Sequence, residues 1–368
     1  MNNQAKYQEE MVRLDGITKK YGAVTALKKT DLTVRKGEFL TLLGPSGSGK
    51  STILNLIAGM TNPTEGTISI KGKDITSTPP NKRGLGMVFQ NYALMPHMTV
   101  FENVAFPLRV RKIPKDEVKE RVNKALELVQ LPEVGSRKPG ELSGGQQQRI
   151  SIARCLVYNP SIILMDEPLG ALDKKLREEL QLELKDIHHR LGITALYVTH
   201  DQEEALTMSD RIILMNGGEI EQLGTPDDLY FEPKTLFAGK FLGDSNTFAC
   251  AVRDVAGGVV AGMGLTLKTT RLPEGAKEKD KVNLMVRPEN ASIIGQNDST
   301  SLENRVAARM RDTVTFGGVV KSFLDLGDGS TMIVQELTRH RGDTRQPGEE
   351  VDVVWAADDT LVFDEAHS

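Results

Sequence analysis

Up to about Leu242 the chain alternates short apolar runs with stretches in which apolar residues recur every three or four positions. The first texture predicts buried strands and the second amphipathic helices; their alternation predicts an α/β layout. Phe39-Leu40-Thr41-Leu42-Leu43 is a compact run that stops at Gly44. Ile162-Ile163-Leu164-Met165 stops at Asp166, and Ala195-Leu196-Tyr197-Val198 stops just before Thr199 and His200. Between the last two, Leu172, Leu176, Leu180, Leu184, Ile187 and Leu191 follow steps of four and three, which sets them on one helical stripe. Val118, Val122, Ala125, Leu126 and Val129 form a second stripe.

After Gly243-Asp244-Ser245 the pattern changes to glycine pairs (Gly257-Gly258, Gly317-Gly318) and short alternating runs at 282–286, 319–326 and 351–355. Those runs predict a small all-β domain of barrel type, so the boundary is placed at 243, giving domains 1–243 and 244–368. Two domains also suit a chain of 368 residues, because single cores seldom grow past roughly 250–300 residues.

Composition narrows the classes. With 46 basic and 50 acidic side chains the net charge is −4, so no overall basic field draws the chain onto nucleic acid. Two cysteines, Cys155 and Cys250, cannot build a disulfide framework, and a reducing cytoplasmic setting is the simpler expectation. No apolar run approaches the ~20 residues that span a bilayer, and the opening MNNQAKYQEE lacks the apolar core of a signal peptide. An integral membrane protein, a secreted mini-protein and a disordered chain are thereby excluded. A soluble subunit seated on a membrane protein is not.

Gly44-Pro45-Ser46-Gly47-Ser48-Gly49-Lys50-Ser51 fits G-x-x-x-x-G-K-[ST] at every fixed position, directly after a strand and before a helical run. Glycines let successive N–H groups turn inward onto phosphate oxygens, and the following helix adds its positive N-terminal end. The nucleotide-binding set is therefore Ser46, Gly47, Ser48, Gly49, Lys50, Ser51 and Thr52, with Lys50 reaching the β- and γ-phosphates of ATP and Ser51 a ligand of Mg²⁺. Asp166 and Glu167 stand at the carboxyl end of a buried strand, where open α/β sheets bind ligands. Asp166 is expected to hold Mg²⁺ and Glu167 to act as general base toward water. His200, one residue past the third strand, can reach the γ-phosphate and that water. The other histidines, His97, His188, His189, His340 and His367, form no metal-ligand pattern and are read as structural or exposed.

Leu142-Ser143-Gly144-Gly145-Gln146-Gln147-Gln148-Arg149 supplies a second anion cradle: a hydroxyl, two glycines and the start of a helix. Through this motif, with the phosphate loop, the chain resembles the ATP-binding cassette (ABC) ATPases over the whole region to Leu242. The resemblance implies a phosphate-loop NTPase core of RecA type with a helical subdomain at about 91–158. It also implies that Ser143, Gly144, Gly145 and Gln146 act in trans, covering an ATP held by the phosphate loop of a second chain. Carried over position by position, Tyr21 matches the aromatic that stacks on adenine. Gln90 matches the glutamine that contacts Mg²⁺ and water and senses the transmembrane partner, and Asp173 matches the dimer-contacting aspartate. Gly170 departs from the pattern, since many relatives carry Ser there. One cassette per chain then implies a homodimer with two equivalent sites.

Only about a hundred residues separate the phosphate loop from the second cradle, with no sustained heptads, unlike the coiled-coil ABC ATPases of DNA repair. A single cassette also differs from the two-cassette translation factors. The segment from Asn91 to Val104 mixes aromatic, Met and Leu residues that can line a groove for a permease helix or pack the helical subdomain. Val282-Asn283-Leu284-Met285-Val286-Arg287-Pro288-Glu289 resembles the R-P-E segment of the barrel-like (OB/TOBE-type) domain in importer ATPases. The best overall likeness is to the spermidine/putrescine branch of that family, carried also by Pro96-His97-Met98-Thr99-Val100-Phe101, by Thr199-His200-Asp201-Gln202-Glu203-Glu204 and by the ending Asp364-Glu365-Ala366-His367. The resemblance implies an ATPase on the cytoplasmic face of the bacterial inner membrane, peripheral, beneath two permease subunits served by a periplasmic solute-binding protein. Nucleic acid is not an expected partner. Polyamine is the expected cargo, with an opine, phosphonate, sugar or ferric iron as the alternative, and a non-transport soluble ABC ATPase as the further one.

Overall fold

A computed structural model describes residues 9–262, 264–327, 329–338 and 345–364. By its internal contacts the chain divides into two compact units, Met1–Asp228 and Leu229–Ser368. In the first unit the strands are β1 (Glu10–Tyr21), β2 (Val24–Arg35), β3 (Phe39–Leu43), β4 (Glu65–Ile70), β5 (Lys73–Asp74), β6 (Gly86–Val88), β7 (Ile162–Asp166), β8 (Thr194–Val198), β9 (Arg211–Asn216) and β10 (Glu219–Gly224). Its helices are α1 (Lys50–Ala58), α2 (Val100–Val110), α3 (Lys115–Leu128), α4 (Gly144–Leu156), α5 (Lys174–Leu191) and α6 (Gln202–Met208).

The central sheet has the order β10-β9-β3-β8-β7-β6, parallel except for the edge hairpin of β9 and β10. Side chains alternate across a strand, and both faces here are covered, which is why β3, β7 and β8 read as unbroken apolar runs. Leu40, Leu42, Ile162, Leu164, Leu196 and Val198 join Ile53, Leu54, Leu56 and Ile57 of α1 on one face. Phe39, Ile163, Met165, Ala195 and Tyr197 meet the helical core on the other. Because β3, β8 and β7 are neighbours, the segments leaving their carboxyl ends emerge side by side. A second, antiparallel sheet of order β2-β1-β4-β5 adds to the α1 face.

The expected stripes hold but are trimmed at their ends. Leu180, Leu184 and Ile187 are buried in α5, but Leu172 lies in the turn before it and Leu191, its last residue, is exposed. Val118, Val122, Ala125 and Leu126 are buried along α3, with Val129 just beyond its end. Between 91 and 158 the chain forms α2, α3 and α4, which pack on one another.

In the second unit α7 (Pro226–Phe231), which straddles the division, and α8 (Leu236–Phe241) are followed, among the described residues, by ten strands. These are β11 (Asn246–Asp254), β12 (Val259–Gly262), β13 (Leu265–Lys268), β14 (Lys281–Val286), β15 (Ser292–Gly295), β16 (Asn304–Phe316), β17 (Val319–Asp325), β18 (Thr331–Leu337), β19 (Glu350–Trp355) and β20 (Leu361–Asp364). They form two five-stranded antiparallel sheets, β13-β12-β11-β14-β20 and β15-β19-β16-β17-β18, around one shared core. Trp355 lies fully inside it, its indole N–H donating to the Thr360 hydroxyl at 2.9 Å. The runs at 282–286, 319–326 and 351–355 are β14, β17 and β19. The division falls ahead of residue 243 because Leu236 of α8 packs with Met285 and Phe363.

Candidate functional site

The turn after β3 needs its glycines. Gly44 has φ 149°, and a Cβ there would sit 2.2 Å from the Met215 carbonyl oxygen. Gly49 caps α1 at φ 103°, where a Cβ would come 2.9 Å from the carbonyl oxygen of Ala26. No side chain caps α1, so among the described residues its first N–H groups lack the partners that a helix start requires. Lys50 is 6% exposed, and its Nζ donates to the carbonyls of Gly44 at 2.8 Å and Pro45 at 2.9 Å. Burial lowers its pKa, while Glu167 and Asp166 pull it back up. The Ser48 hydroxyl is buried and makes no hydrogen bond to a described residue. Ser46 and Gly47 face solvent, and Thr52 is half-buried in the first turn of α1. Unpaired amides, an orphaned hydroxyl and a cradle that a Cβ would fill fit a bound polyphosphate.

The Ser51 hydroxyl donates to Asp166 Oδ1 at 3.1 Å, which brings together two oxygen ligands of the kind that suit Mg²⁺. Burial raises the Asp166 pKa, opposed by the Ser51 hydrogen bond. Glu167 has φ 43°, a left-handed conformation that is costly without glycine. It is held there by its own N–H to Val198 O at 3.0 Å and by Gly170 N–H to its carbonyl at 3.3 Å. Its Oε2 lies 3.3 Å from His200 Nδ1 and 3.4 Å from Gln90 Nε2. Three residues far apart in sequence thus converge beside the phosphate loop. A Cβ at Gly170 would make only ordinary contacts, 3.6 Å from the Glu167 carbonyl oxygen, so Ser also fits there.

Gln90 opens the loop to α2, in which Tyr92 and Ala93 have φ 57° and 50°. Arg154 of α4 holds both, donating to Ala93 O at 2.6 Å and Tyr92 O at 2.8 Å, and Ser151 adds a hydrogen bond to Tyr92 O at 3.0 Å. At the other end of α4, Ser143 is the N-cap: its hydroxyl accepts from Gln146 N–H, and Gln146 Oε1 accepts from Ser143 N–H at 3.0 Å. This capping box fixes the exposed helix start, leaving the Gly144 and Gly145 amides at its positive end. Gly145 has a packing reason as well, since a Cβ would meet Leu176 Cδ2 at 2.7 Å. Asp173 caps α5 through Leu176 N–H at 3.1 Å. Tyr21, 52% exposed at the end of β1, has Lys19 Nζ 4.8 Å from its ring centroid. His97 and His189 are exposed and His188 packs edge-on against Phe39; His340, His367 and the ending 365–368 lie outside the described residues.

The residues that hold this site leave no motif in the sequence. Arg154 and Ser151, which fix the Gln90 loop, carry no motif spacing. Arg177 lies beside the apolar stripe of α5 rather than on it, and Asp201 and Glu204 follow His200 with no spacing that marks their contacts.

A phosphate loop at the carboxyl end of a parallel sheet, facing an acidic pair and a histidine, defines a phosphate-loop ATPase. The family profile described as ABC transporter matches residues 27–170, and that described as TOBE domain matches residues 284–363. The spermidine/putrescine import ATP-binding protein of Nitratidesulfovibrio vulgaris is 42% identical over 355 residues, 95% of this chain and 96% of that protein. That of Rubrobacter xylanophilus is 44% identical over 357 residues, 96% and 93% of the two chains. A bacterial ABC transporter cassette solved as a dimer is 39% identical, with a TM-score of 0.54 over 59% of this chain and 99% of that one. The chain belongs to the ATP-binding subunits of ABC transporters, with a C-terminal TOBE domain. Among the described residues no helix is long and apolar enough to cross a membrane.

Proposed function

We propose that this subunit hydrolyses ATP to drive a bacterial importer whose cargo is a polyamine, spermidine or putrescine. The convergence of Gln90, Glu167 and His200 beside the phosphate loop carries the chemistry. The names and near full-length coverage of its relatives support the cargo. Lys50 exchanges the carbonyls of Gly44 and Pro45 for phosphate oxygens, a swap between acceptors within reach of one buried amine. Glu167 takes the proton from the attacking water, and Gln90 and His200 orient both. Ser51, Asp166 and Gln90 would hold Mg²⁺, which neutralises developing phosphate charge when bound. The amides and hydroxyl at the start of α4 close over the γ-phosphate of a second chain, and the Asp173 turn meets that chain, so the working unit is a homodimer. Tyr21 offers the adenine platform. Two permease subunits at the cytoplasmic face of the inner membrane, fed by a periplasmic binding protein, complete the machine, and the TOBE-bearing C-terminal unit serves as its regulatory part.

The test is reconstitution with the permease and binding protein in vesicles. Spermidine- or putrescine-loaded binding protein should raise ATP turnover well above that with empty binding protein. Stimulation by an opine, phosphonate, sugar or ferric iron, with none by polyamines, would overturn the cargo and leave the ATPase role standing.

A further inference from the structure

Arg177 stands one turn into α5, and its guanidinium ties together two segments that flank the reaction. Nη2 donates to the Leu172 carbonyl at 3.1 Å, in the turn that leads directly to Asp173. Nη1 donates to Asp201 Oδ2 at 2.7 Å, immediately past His200. Its Nε lies 3.8 Å from Oε1 of Glu204, a carboxylate whose side chain is 2% exposed. The other Glu204 oxygen accepts from the Tyr197 hydroxyl at 2.6 Å and from the Thr199 hydroxyl at 2.7 Å. Thr199 Oγ1 in turn accepts the Asp201 N–H at 3.0 Å. Both neighbours of His200 are therefore locked into one network, while the imidazole itself projects 62% exposed toward Glu167.

The planar fork of arginine is what makes this link stiff, since it fixes a carbonyl and a carboxylate in one geometry. A clasp serving only to pin α6 to α5 would be complete with the Asp201 pair. The bond to Leu172 adds the turn that carries the dimer-contacting aspartate. We propose that Arg177 is a positioning residue that couples the Asp173 turn to His200, so that closure of a second chain on that turn sets the histidine for hydrolysis. The coupling rests on the two-chain site described under the proposed function.

The test uses the full-length protein with MgATP, reading kcat, KM and thermal melting for Arg177→Ala, Arg177→Lys, Asp201→Asn, Asp173→Asn and the Arg177→Ala/Asp173→Asn pair. Asn at 173 keeps an N-cap acceptor while losing the charge. Arg177→Ala and Asp201→Asn should each lower kcat by about tenfold or more with KM held within about twofold, as expected for misplacement of a reacting group. Lysine should fail to rescue, and the double variant should be no slower than its slower parent, because both changes cut one link. Should Arg177→Ala not fold, Arg177→Lys and Asp201→Asn carry the same test. A folded Arg177→Ala with normal kcat, a KM that rises in step with the loss, or multiplying effects in the double variant would overturn the coupling. If Asp173→Asn alone is fully active and ATP fails to pair Glu167→Gln chains, the shared site itself is wrong and the coupling falls with it.

Discussion

Replacing Asn103 with leucine isolates what holds the Gln90 loop in place. Asn103 is 0% exposed on α2, and its Oδ1 accepts from Met95 N–H at 2.8 Å. Its Nδ2 donates to the carbonyls of Met95 at 3.1 Å, Met98 at 3.3 Å and Thr99 at 3.0 Å. With two amide hydrogens serving three carbonyls, the set amounts to roughly three net hydrogen bonds at about 1 kcal/mol each. Leucine preserves the volume and removes every one of them, so the segment 91–98 should lose about 3 kcal/mol of local stability. Such a loss raises the opening equilibrium by about 10²-fold. Amide hydrogen exchange reads it directly: the Met95 amide should exchange up to about 10²-fold faster while amides in β3, β7 and β8 keep their protection. ATP turnover should fall too, because Gln90 sits at the head of the loosened segment. Exchange at Met95 within about threefold of the parent, in a folded variant, would show that Asn103 does not hold this segment.

Two further outcomes are expected. Glu167→Gln should cut turnover by about 10²–10⁴-fold, the usual yield of a positioned general base, while an ATP-bound dimer accumulates on size-exclusion chromatography; normal hydrolysis would remove Glu167 from that role. Burial pushes the Cys155 thiol up to about 12 and the Cys250 thiol up to about 11. In the folded chain their thiolates form only as pH nears those values, so at pH 8 a disulfide reagent should leave both untouched and find both after unfolding. The same shifts favour folding fully below the ordinary thiol range, and that advantage fades as pH rises through the folded values. Rapid labelling of native protein would contradict the burial.

Much of the architecture was legible because buried parallel strands leave an unmistakable trace: runs such as Phe39–Leu43 must be apolar on both faces. The phosphate loop was legible for a similar reason, since only glycine tolerates a backbone as tight as that at Gly44. The convergence of Gln90, Glu167 and His200 followed from resemblance and from strand ends, not from spacing, because β6, β7 and β8 become neighbours only when the sheet forms. The residues that hold the site carry no such trace. Arg154, Arg177 and Asn103 act largely on backbone carbonyls, and a side chain paired with a carbonyl leaves no complementary residue in the sequence to betray it. Val129 and Leu191 look alike on a helical stripe, yet Val129 is buried and Leu191 exposed, since the packing partners of a stripe are set by tertiary structure.

In the site proposed here one chain cradles the phosphates while the start of α4 in a second chain closes over them. Mixing Ser143→Arg chains with Lys50→Ala chains separates the two halves, because each protein alone carries two broken sites and a mixed dimer regains one intact site. ATP hydrolysis should be absent in either variant alone and should appear in the isolated mixed dimer at about half the parental rate, as one of two equivalent sites is restored. A verified mixed dimer with no activity, or parental protein that hydrolyses ATP at full rate as a strict monomer, would rule out a site shared between two chains.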